Sequence, residues 1–114
     1  MRNHTLVVDI NKETCEVLKY KQYDNNNLLQ IIVEKDDERV SLNGYTGRAF
    51  FELPSGLVIK KDCSMQGSKV IINLDNNILS ESGKIGLDLT LSDGNKRFTL
   101  FRINLVVEEV IRRK

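Results

Sequence analysis

The chain has 114 residues, with 17 lysines and arginines against 16 aspartates and glutamates, which gives a formal net charge of +1. This length predicts one domain over residues 1–114, with a core over about residues 4–109 and a charged tail over residues 110–114. The near-neutral charge supplies no field to attract nucleic acid or an anionic membrane.

The N-terminal segment, MRNHTLVVDINKE, has too short an apolar stretch for a signal peptide. No apolar run approaches the roughly 20 residues of a membrane-spanning helix, so we expect no membrane insertion. Cys15, Cys63 and the single histidine, His4, match no metal-ligand spacing. We expect free thiols in a protein made in the cytoplasm, with no metal and no cofactor.

The first part of the chain predicts two strands separated by a turn or loop. Residues 4–10 alternate Leu6, Val8 and Ile10 with other residues, which is typical of a strand with one buried face. The segment KYKQYDNNN, residues 19–27, predicts the turn or loop, because Asp and Asn side chains hydrogen-bond their own backbone. LLQIIVEK, residues 28–35, is rich in β-branched residues and predicts a second strand.

Two candidate turns then follow within ten residues. DDER, residues 36–39, interrupts the second strand, and Val40 to Leu42 resume an extended course before Asn43-Gly44. An Asn-Gly pair is a strong signal for a tight two-residue hairpin turn. By itself the local sequence does not decide which of the two turns is the hairpin tip.

The middle of the chain predicts a hairpin and a further strand. TGRAFFEL, residues 46–53, places alternate apolar residues on one side, and the turn PSG, from Pro54 to Gly56, joins it to the short strand LVIKK. KVIINL, residues 69–74, alternates in the same way. The following DNNILSESG holds either one helical turn or only a loop.

The last part predicts the most regular strand and the longest one. KIGLDLTLS, residues 84–92, points Ile85, Leu87, Leu89 and Leu91 inward, and Asp93-Gly94 closes a hairpin into RFTLFRINLVVEEV. The apolar parity of this final segment changes near Leu100-Phe101. A bulge, or a strand that bends from one sheet to another, absorbs such a change.

These elements predict an all-β fold, because no segment shows a sustained helical apolar period. Turn signals recur every 8 to 12 residues or so, which favours an antiparallel β-sandwich of about seven to eight strands, immunoglobulin-like or jelly-roll-like.

Catalytic, metal and nucleic-acid sites find little support in the sequence. His4 has no second histidine, and neither cysteine has an activating base nearby in the chain, so no catalytic residue is assigned. The turns DNNN and SDGN lack the ligand order of an EF-hand loop.

Tyr20, Tyr23 and Tyr45, with lysines or an arginine nearby, are a weak signal for single-strand nucleic-acid binding. Scarce exposed aromatics likewise count against, without excluding, a carbohydrate-binding module.

The order of several segments resembles the N-terminal domain of phage baseplate upper proteins. The matching positions are Gln22 to Asn26, Leu42 to Thr46 with its LNGYT step, Pro54 to Gly56, Gly83 to Leu91, and Asp93-Gly94. Each is ordinary turn chemistry, and their order and spacing over about residues 4–109 carry the resemblance.

The resemblance implies a β-sandwich adaptor in the tail of a phage that infects a Gram-positive host. Such a domain docks on the baseplate core, positions receptor-binding parts and has no active site. It implies other phage tail or baseplate proteins as partners, commonly a homotrimer, and a location in the virion after assembly in the host cytoplasm. The partner interface is unknown, and a non-catalytic carbohydrate-binding β-sandwich is the alternative. Glu108 to Lys114 either begins a trimerising helix or is a frayed terminus.

The family order also bears on the two candidate turns. It implies that the hairpin tip lies around Asp36 to Arg39, and that Asn43-Gly44 kinks the chain between one sheet edge and the next strand. Gly44 then needs a positive φ, with Tyr45 packed beside it. The predicted structural turn residues are Asn43, Gly44, Pro54, Gly56, Asp93 and Gly94.

Overall fold

A computed structural model describes residues 3–13, 17–23, 27–100 and 102–109. Cys15, Asp24 to Asn26, Phe101 and the tail over residues 110–114 lie outside the described residues, and so do the predictions made for them. The described residues contain no helix, and hence none that could cross a membrane. They form ten strands: β1 Asn3–Asp9, β2 Val17–Lys21, β3 Asn27–Lys35, β4 Glu38–Arg39, β5 Thr46–Glu52, β6 Val58–Gln66, β7 Lys69–Leu74, β8 Gly83–Ser92, β9 Arg97–Thr99 and β10 Ile103–Glu108.

The strands lie on one hydrogen-bonded path that is nearly closed into a barrel. Its order is β1-β3-β7-β6-β5-β8-β10-β2, with β4 beside β3 and β9 beside β8. The predicted all-β class is confirmed, but the described residues contain ten strands rather than seven or eight. The pairings at the two ends of the path, β1 with β3 and β10 with β2, are parallel rather than antiparallel.

Strand β2 lies in a segment whose larger part was predicted to be a turn or loop, and that prediction was wrong. Only Tyr20 is fully buried in this strand, while Lys19 and Val17 are exposed, so its five residues show little apolar alternation. The strand forms because β10 pairs with it from the far end of the chain, with Leu105 opposite Leu18 and Val107 opposite Tyr20. A pattern confined to the segment itself could not reveal that partner.

The inward faces of the central strands form one apolar core. The alternate residues of β5, β7 and β8 that the sequence pattern pointed inward are buried, and β3 contributes a further set. Burying each valine, leucine, isoleucine or phenylalanine side chain among them stabilises the fold by about 1.5–3 kcal/mol relative to leaving it exposed. The fully buried positions of these strands are Leu29, Ile31, Val33, Ala49, Phe51, Val70, Ile72, Leu74, Ile85, Leu87, Leu89 and Leu91.

The segment after β7 is a loop that contains one helix-like turn, in which Leu79 N–H donates to Asp75 C=O at 3.2 Å. Asp75 Oδ1 accepts hydrogen bonds from the backbone N–H groups of Asn77 and Ile78, both at 3.0 Å. Ile78 and Leu79 are fully buried, so the loop adds two apolar side chains to the core.

A bulge in the last hairpin explains the change of parity in the final segment. Thr99 pairs with Thr90 and Ile103 pairs with Leu87, so three residues of one strand lie opposite two of the other. The extra residue is what defines a β-bulge. It brings both Leu100 and Ile103 to the buried side, although they differ in parity.

Arg102 lies at this bulge and joins three strands on the outer face. Its guanidinium donates to both carboxylate oxygens of Asp88, at 3.1 and 2.7 Å, and to Glu52 Oε1 at 3.1 Å. These hydrogen bonds raise the pKa of Arg102 above its ordinary value, and those to Asp88 have the largest effect. The side chain lies flat across Gly86, where a Cβ would come within 2.8 Å of Nη1.

The two neighbouring turns of the first half have different geometries. Asp36 and Asp37 have φ of +52° and +70° between the paired residues Lys35 and Glu38, as in a two-residue type I′ hairpin. Gly44 has φ +83°, and Tyr45 N–H donates to Leu42 C=O at 3.1 Å, as in a type II turn.

Replacing Gly44 with valine should lower the free energy of unfolding by about 1–2 kcal/mol, because a β-branched residue is strained at positive φ. No atom of the residues that the structure describes lies within 4 Å of the position a Cβ would take, so the loss comes from the backbone alone. Chemical denaturation measures it. Gly44→Asn is the matched control and should lose less, since asparagine tolerates this conformation. Equal stability of the valine variant and the parent chain would contradict the prediction.

Removing the Arg102 side chain should lower the free energy of unfolding by about 1 kcal/mol, because the bidentate pair with Asp88 is strong for a half-exposed site but remains screened by solvent. Thermal unfolding of Arg102→Ala at low and high salt tests this, and the loss should shrink as salt screens the charges. Arg97→Ala is the control, since Arg97 makes no ion pair with any described residue. An equal loss in both variants would disprove a specific role for Arg102.

Candidate docking groove

A groove of about 710 Å³ runs over the ends of β5, β6, β8 and β9. We call it the outer groove. Its polar lining includes Arg48, Asp62, Thr90, Ser92 and Arg97. The groove is wide enough for a side chain or a small ligand, because binding pockets commonly have volumes of about 300–1,000 Å³.

Strand alternation and register bring these residues together. Because Gly47, Ala49 and Phe51 are buried, the intervening residues Arg48 and Phe50 point outward. Register then sets Arg48 between Asp62 of β6 and Thr90 of β8. The groove is therefore built from positions that are far apart in the sequence.

The groove carries a cation that no described residue neutralises. Arg48 Nε lies 3.6 Å from Asp62 Oδ1, but the two side chains are 61% and 89% exposed, so this pair contributes little to stability. Arg97, on the neighbouring hairpin, has neither an ion pair nor a hydrogen bond with a described side chain. The guanidinium groups can thus donate to a carboxylate or other anionic group of a ligand.

Half-buried sulfur-containing side chains line the inner part of the groove. Met65 lies over Gly47, where a Cβ would collide with its terminal methyl group. Burial, and then the nearby charge of Asp62, raises the pKa of the Cys63 thiol to about 12. Because the thiolate is the nucleophilic form, Cys63 is not set up for nucleophilic chemistry at neutral pH.

Two of the predicted turns flank the groove. Asn43 and Gly44 occupy the centre of the turn that delivers Tyr45 and Thr46 to its lining. The Asp93-Gly94 hairpin precedes Arg97.

The Asp93-Gly94 hairpin is held by hydrogen bonds to one side chain. Asp93 Oδ1 accepts from the backbone N–H groups of Asn95 at 2.9 Å and Lys96 at 2.6 Å. These hydrogen bonds lower the pKa of Asp93, and the one from Lys96 has the largest effect. The hairpin thereby fixes where Arg97 begins β9.

The remaining predicted turn lies at the opposite end of β5, away from the groove. Pro54 and Gly56 join β5 to β6, and the Gly56 N–H donates to Leu53 C=O at 2.8 Å. Ser55 donates from both its backbone N–H and its hydroxyl to the carboxylate of Glu81, at 2.8 and 2.7 Å.

The tyrosines considered for nucleic-acid binding do not form one stacking surface. Tyr20 is buried, Tyr45 packs edge-on against Phe98 with ring centroids 5.7 Å apart, and Tyr23 is exposed. Within the described ranges, no three histidine, cysteine or acidic residues cluster so as to hold a metal ion.

The sequence analysis did not single out Arg97, Asp62 or Phe50 as site residues. Their outward position follows from the same alternation that identified the core, but their proximity depends on the pairing of β5 with both β6 and β8. The sequence could therefore indicate which residues lie on the polar face of each strand, but not which strands are neighbours.

Comparison with known proteins adds a relation in structure. No protein-family model and no curated protein matches the sequence. Ten chains of solved structures match this one. One is the N-terminal domain of phage TP901-1 ORF48, which superposes with a TM-score of 0.77 and 12% identity over 95% of this chain and 99% of that chain. The chain has the fold of this phage domain. The resemblance to the N-terminal domain of phage baseplate upper proteins is thus confirmed at the level of the fold.

Alkylation should show that the fold suppresses the reactivity of Cys63. In a Cys15→Ser variant at pH 8, we expect iodoacetamide to react at least about 100-fold more slowly with the folded protein than with the denatured one, because the raised pKa and burial both disfavour attack. Equal alkylation rates would contradict the burial of this thiol.

The same shift makes stability depend on pH. Because the pKa of the Cys63 thiol is higher in the folded protein than its unfolded value near 9, its contribution to stability is fully present below pH 9 and is lost as the pH rises from there towards about 12.

Proposed function

We propose that this chain is a structural component of a phage or prophage virion, a tail baseplate adaptor domain that docks on the baseplate core and positions receptor-binding parts. The observation that carries the proposal is the match in fold to the ORF48 domain, which extends over nearly all of both chains. Fold alone does not fix function, so the surface must account for the role.

The outer groove is a docking surface that suits this role. Arg48 and Arg97 offer guanidinium donors, and Phe50 adds a half-buried aromatic ring beside them. Arginine and aromatic side chains are enriched at protein interfaces, where they supply much of the binding energy. In this proposal the groove receives an acidic side chain or loop of another tail protein.

The proposal assigns no enzymatic activity to the chain. The thiol of Cys63 is protonated at neutral pH, and the His4 ring packs against Tyr20 rather than against a nucleophile. The domain acts through shape and charge, and repeated copies in an assembly would strengthen weak individual contacts.

Carbohydrate binding is the second candidate, and the composition of the groove favours it. Thr90, Ser92, Asp62 and the two arginines provide donors and acceptors that suit sugar hydroxyls, beside the ring of Phe50. In this case the ligand would be a glycan of the host cell wall.

The two candidates predict different binders for the same groove. We expect the purified chain to bind a baseplate protein encoded by the same phage genome in biolayer interferometry at micromolar concentrations. On a glycan array, we expect it to bind no sugar. Arg97→Glu should weaken that binding at least about tenfold, because it reverses an interfacial charge. Lys35→Glu, an exposed charge reversal on β3, is the matched control and should bind normally.

Other outcomes decide against the adaptor role. Binding to cell-wall glycans without binding to any tail protein would overturn it in favour of the second candidate. The absence of the chain from purified virions by mass spectrometry would overturn it as well.

A further inference from the structure

The two end strands of the path face each other across an unpaired seam. Strand β1 is parallel to β3, and the path from β3 through β7, β6, β5 and β8 to β10 reverses direction at each step, with β2 parallel to β10. Consequently β1 and β2, which are consecutive in the chain, run antiparallel along the two sides of the gap in the nearly closed barrel. We call this gap the seam.

The backbones of both strands direct free hydrogen-bonding groups into the seam. Ile10 N–H donates to Glu34 C=O at 2.9 Å, and Gln22 N–H donates to Glu108 C=O at 2.9 Å. Hydrogen bonding alternates along each strand, so Thr5 and Val7 of β1 direct their N–H and C=O groups away from β3. The odd-numbered residues of β2 direct theirs away from β10. Among the described residues, no backbone hydrogen bond joins β1 to β2.

One end of the seam contains buried polar atoms that no residue in the described part of the chain pairs with. The rings of His4 and Tyr20 meet across it, with centroids 4.7 Å apart at 66°. Neither His4 Nδ1 nor Tyr20 Oη has a hydrogen-bond partner among the described residues, both atoms are buried, and the Tyr20 side chain as a whole is 1% exposed. An unsatisfied buried polar atom costs about 1–3 kcal/mol, so strand pairing leaves hydrogen-bonding capacity unused at this end of the seam.

The outer rim of the seam is apolar on both sides and positively charged on one. Val7 of β1 is 52% exposed and Val17 of β2 is 48% exposed. Lys19 is exposed and has no ion pair with a described residue, whereas Lys21 pairs with Glu108 at 2.9 Å. Free strand edges are usually protected by lysine, proline or a bulge, and β1 has none of these in its seven residues.

We propose that the seam is an acceptor site for one extended segment of a partner polypeptide, with apolar residues alternating with acidic ones. Its backbone pairs with Thr5 and Val7, its apolar side chains cover Val7 and Val17, and an acidic side chain reaches Lys19. Addition of a strand to a free sheet edge is a recurring mode of peptide recognition. Because both sides of the seam are occupied by strands, an occupant has to enter as a single extended segment, and the edge of a second globular sheet, including a second copy of this chain, is excluded.

This site is separate from the outer groove. The groove strands β5 and β6 lie at the middle of the path, whereas the seam lies between its two ends. The groove and the seam are therefore on opposite sides of the barrel. The inference goes beyond the proposed function and stands or falls without it, since strand addition requires only the free edge.

A displayed library of random eight-residue peptides, selected against the full chain, tests the site. We expect selected peptides to alternate apolar and acidic residues, and their binding to slow hydrogen exchange at the backbone amides of Thr5 and Val7. A library that yields no binder, or binders that protect only the groove strands, would overturn the proposal. Dimerisation of the free chain through β1 in light scattering would overturn it too.

Variants of the seam sharpen the test with a selected peptide. Val7→Pro removes an N–H that β3 does not use and should weaken binding at least about tenfold, while Val7→Thr keeps that N–H and should weaken it less. Lys19→Glu should weaken an acidic peptide about fivefold at low salt, and Lys60→Glu on the far side should not. Should the proline variant fail to fold by circular dichroism, the lysine pair decides. Unchanged affinity in Lys19→Glu would then overturn the proposal.

Discussion

Strand β6 holds the two halves of this protein in one sheet, and the rest of the structure depends on its continuity. Val58 to Cys63 pair with β5, whereas Ser64 to Gln66 pair with β7. The chain thus changes partners within one strand, and the hydrogen-bonded path continues around the core instead of ending at two separate edges. The inward faces of the other strands can then enclose a single set of apolar side chains.

The same arrangement defines both candidate surfaces. Pairing of β5 with β6 on one side and β8 on the other creates the outer groove, because the polar residues of three strands converge on one face. The path has two ends, and β1 and β2 meet there without pairing. One surface therefore comes from complete strand pairing and the other from pairing that is left incomplete.

Both surfaces are suited to binding other components of an assembly rather than to catalysis. The groove presents arginines beside an aromatic ring, and the seam presents free backbone groups between two valines. The first is suited to side-chain recognition and the second to recognition of an extended backbone. A domain with two such surfaces on opposite sides can connect two other components, which agrees with the adaptor role proposed for it.

By itself, the sequence determined the local features: the inward residues of β5, β7 and β8, the turn before β5, and the change of parity that became the bulge near Leu100. These depend on alternation and turn chemistry between near neighbours, which any short segment displays. Only the tertiary structure decided that Val17–Lys21 is a strand, that both end pairings are parallel, and that Arg48 lies beside Asp62. The reason is that register and partner choice arise from contacts between residues far apart in the chain, and alternation within a strand carries no record of its neighbour.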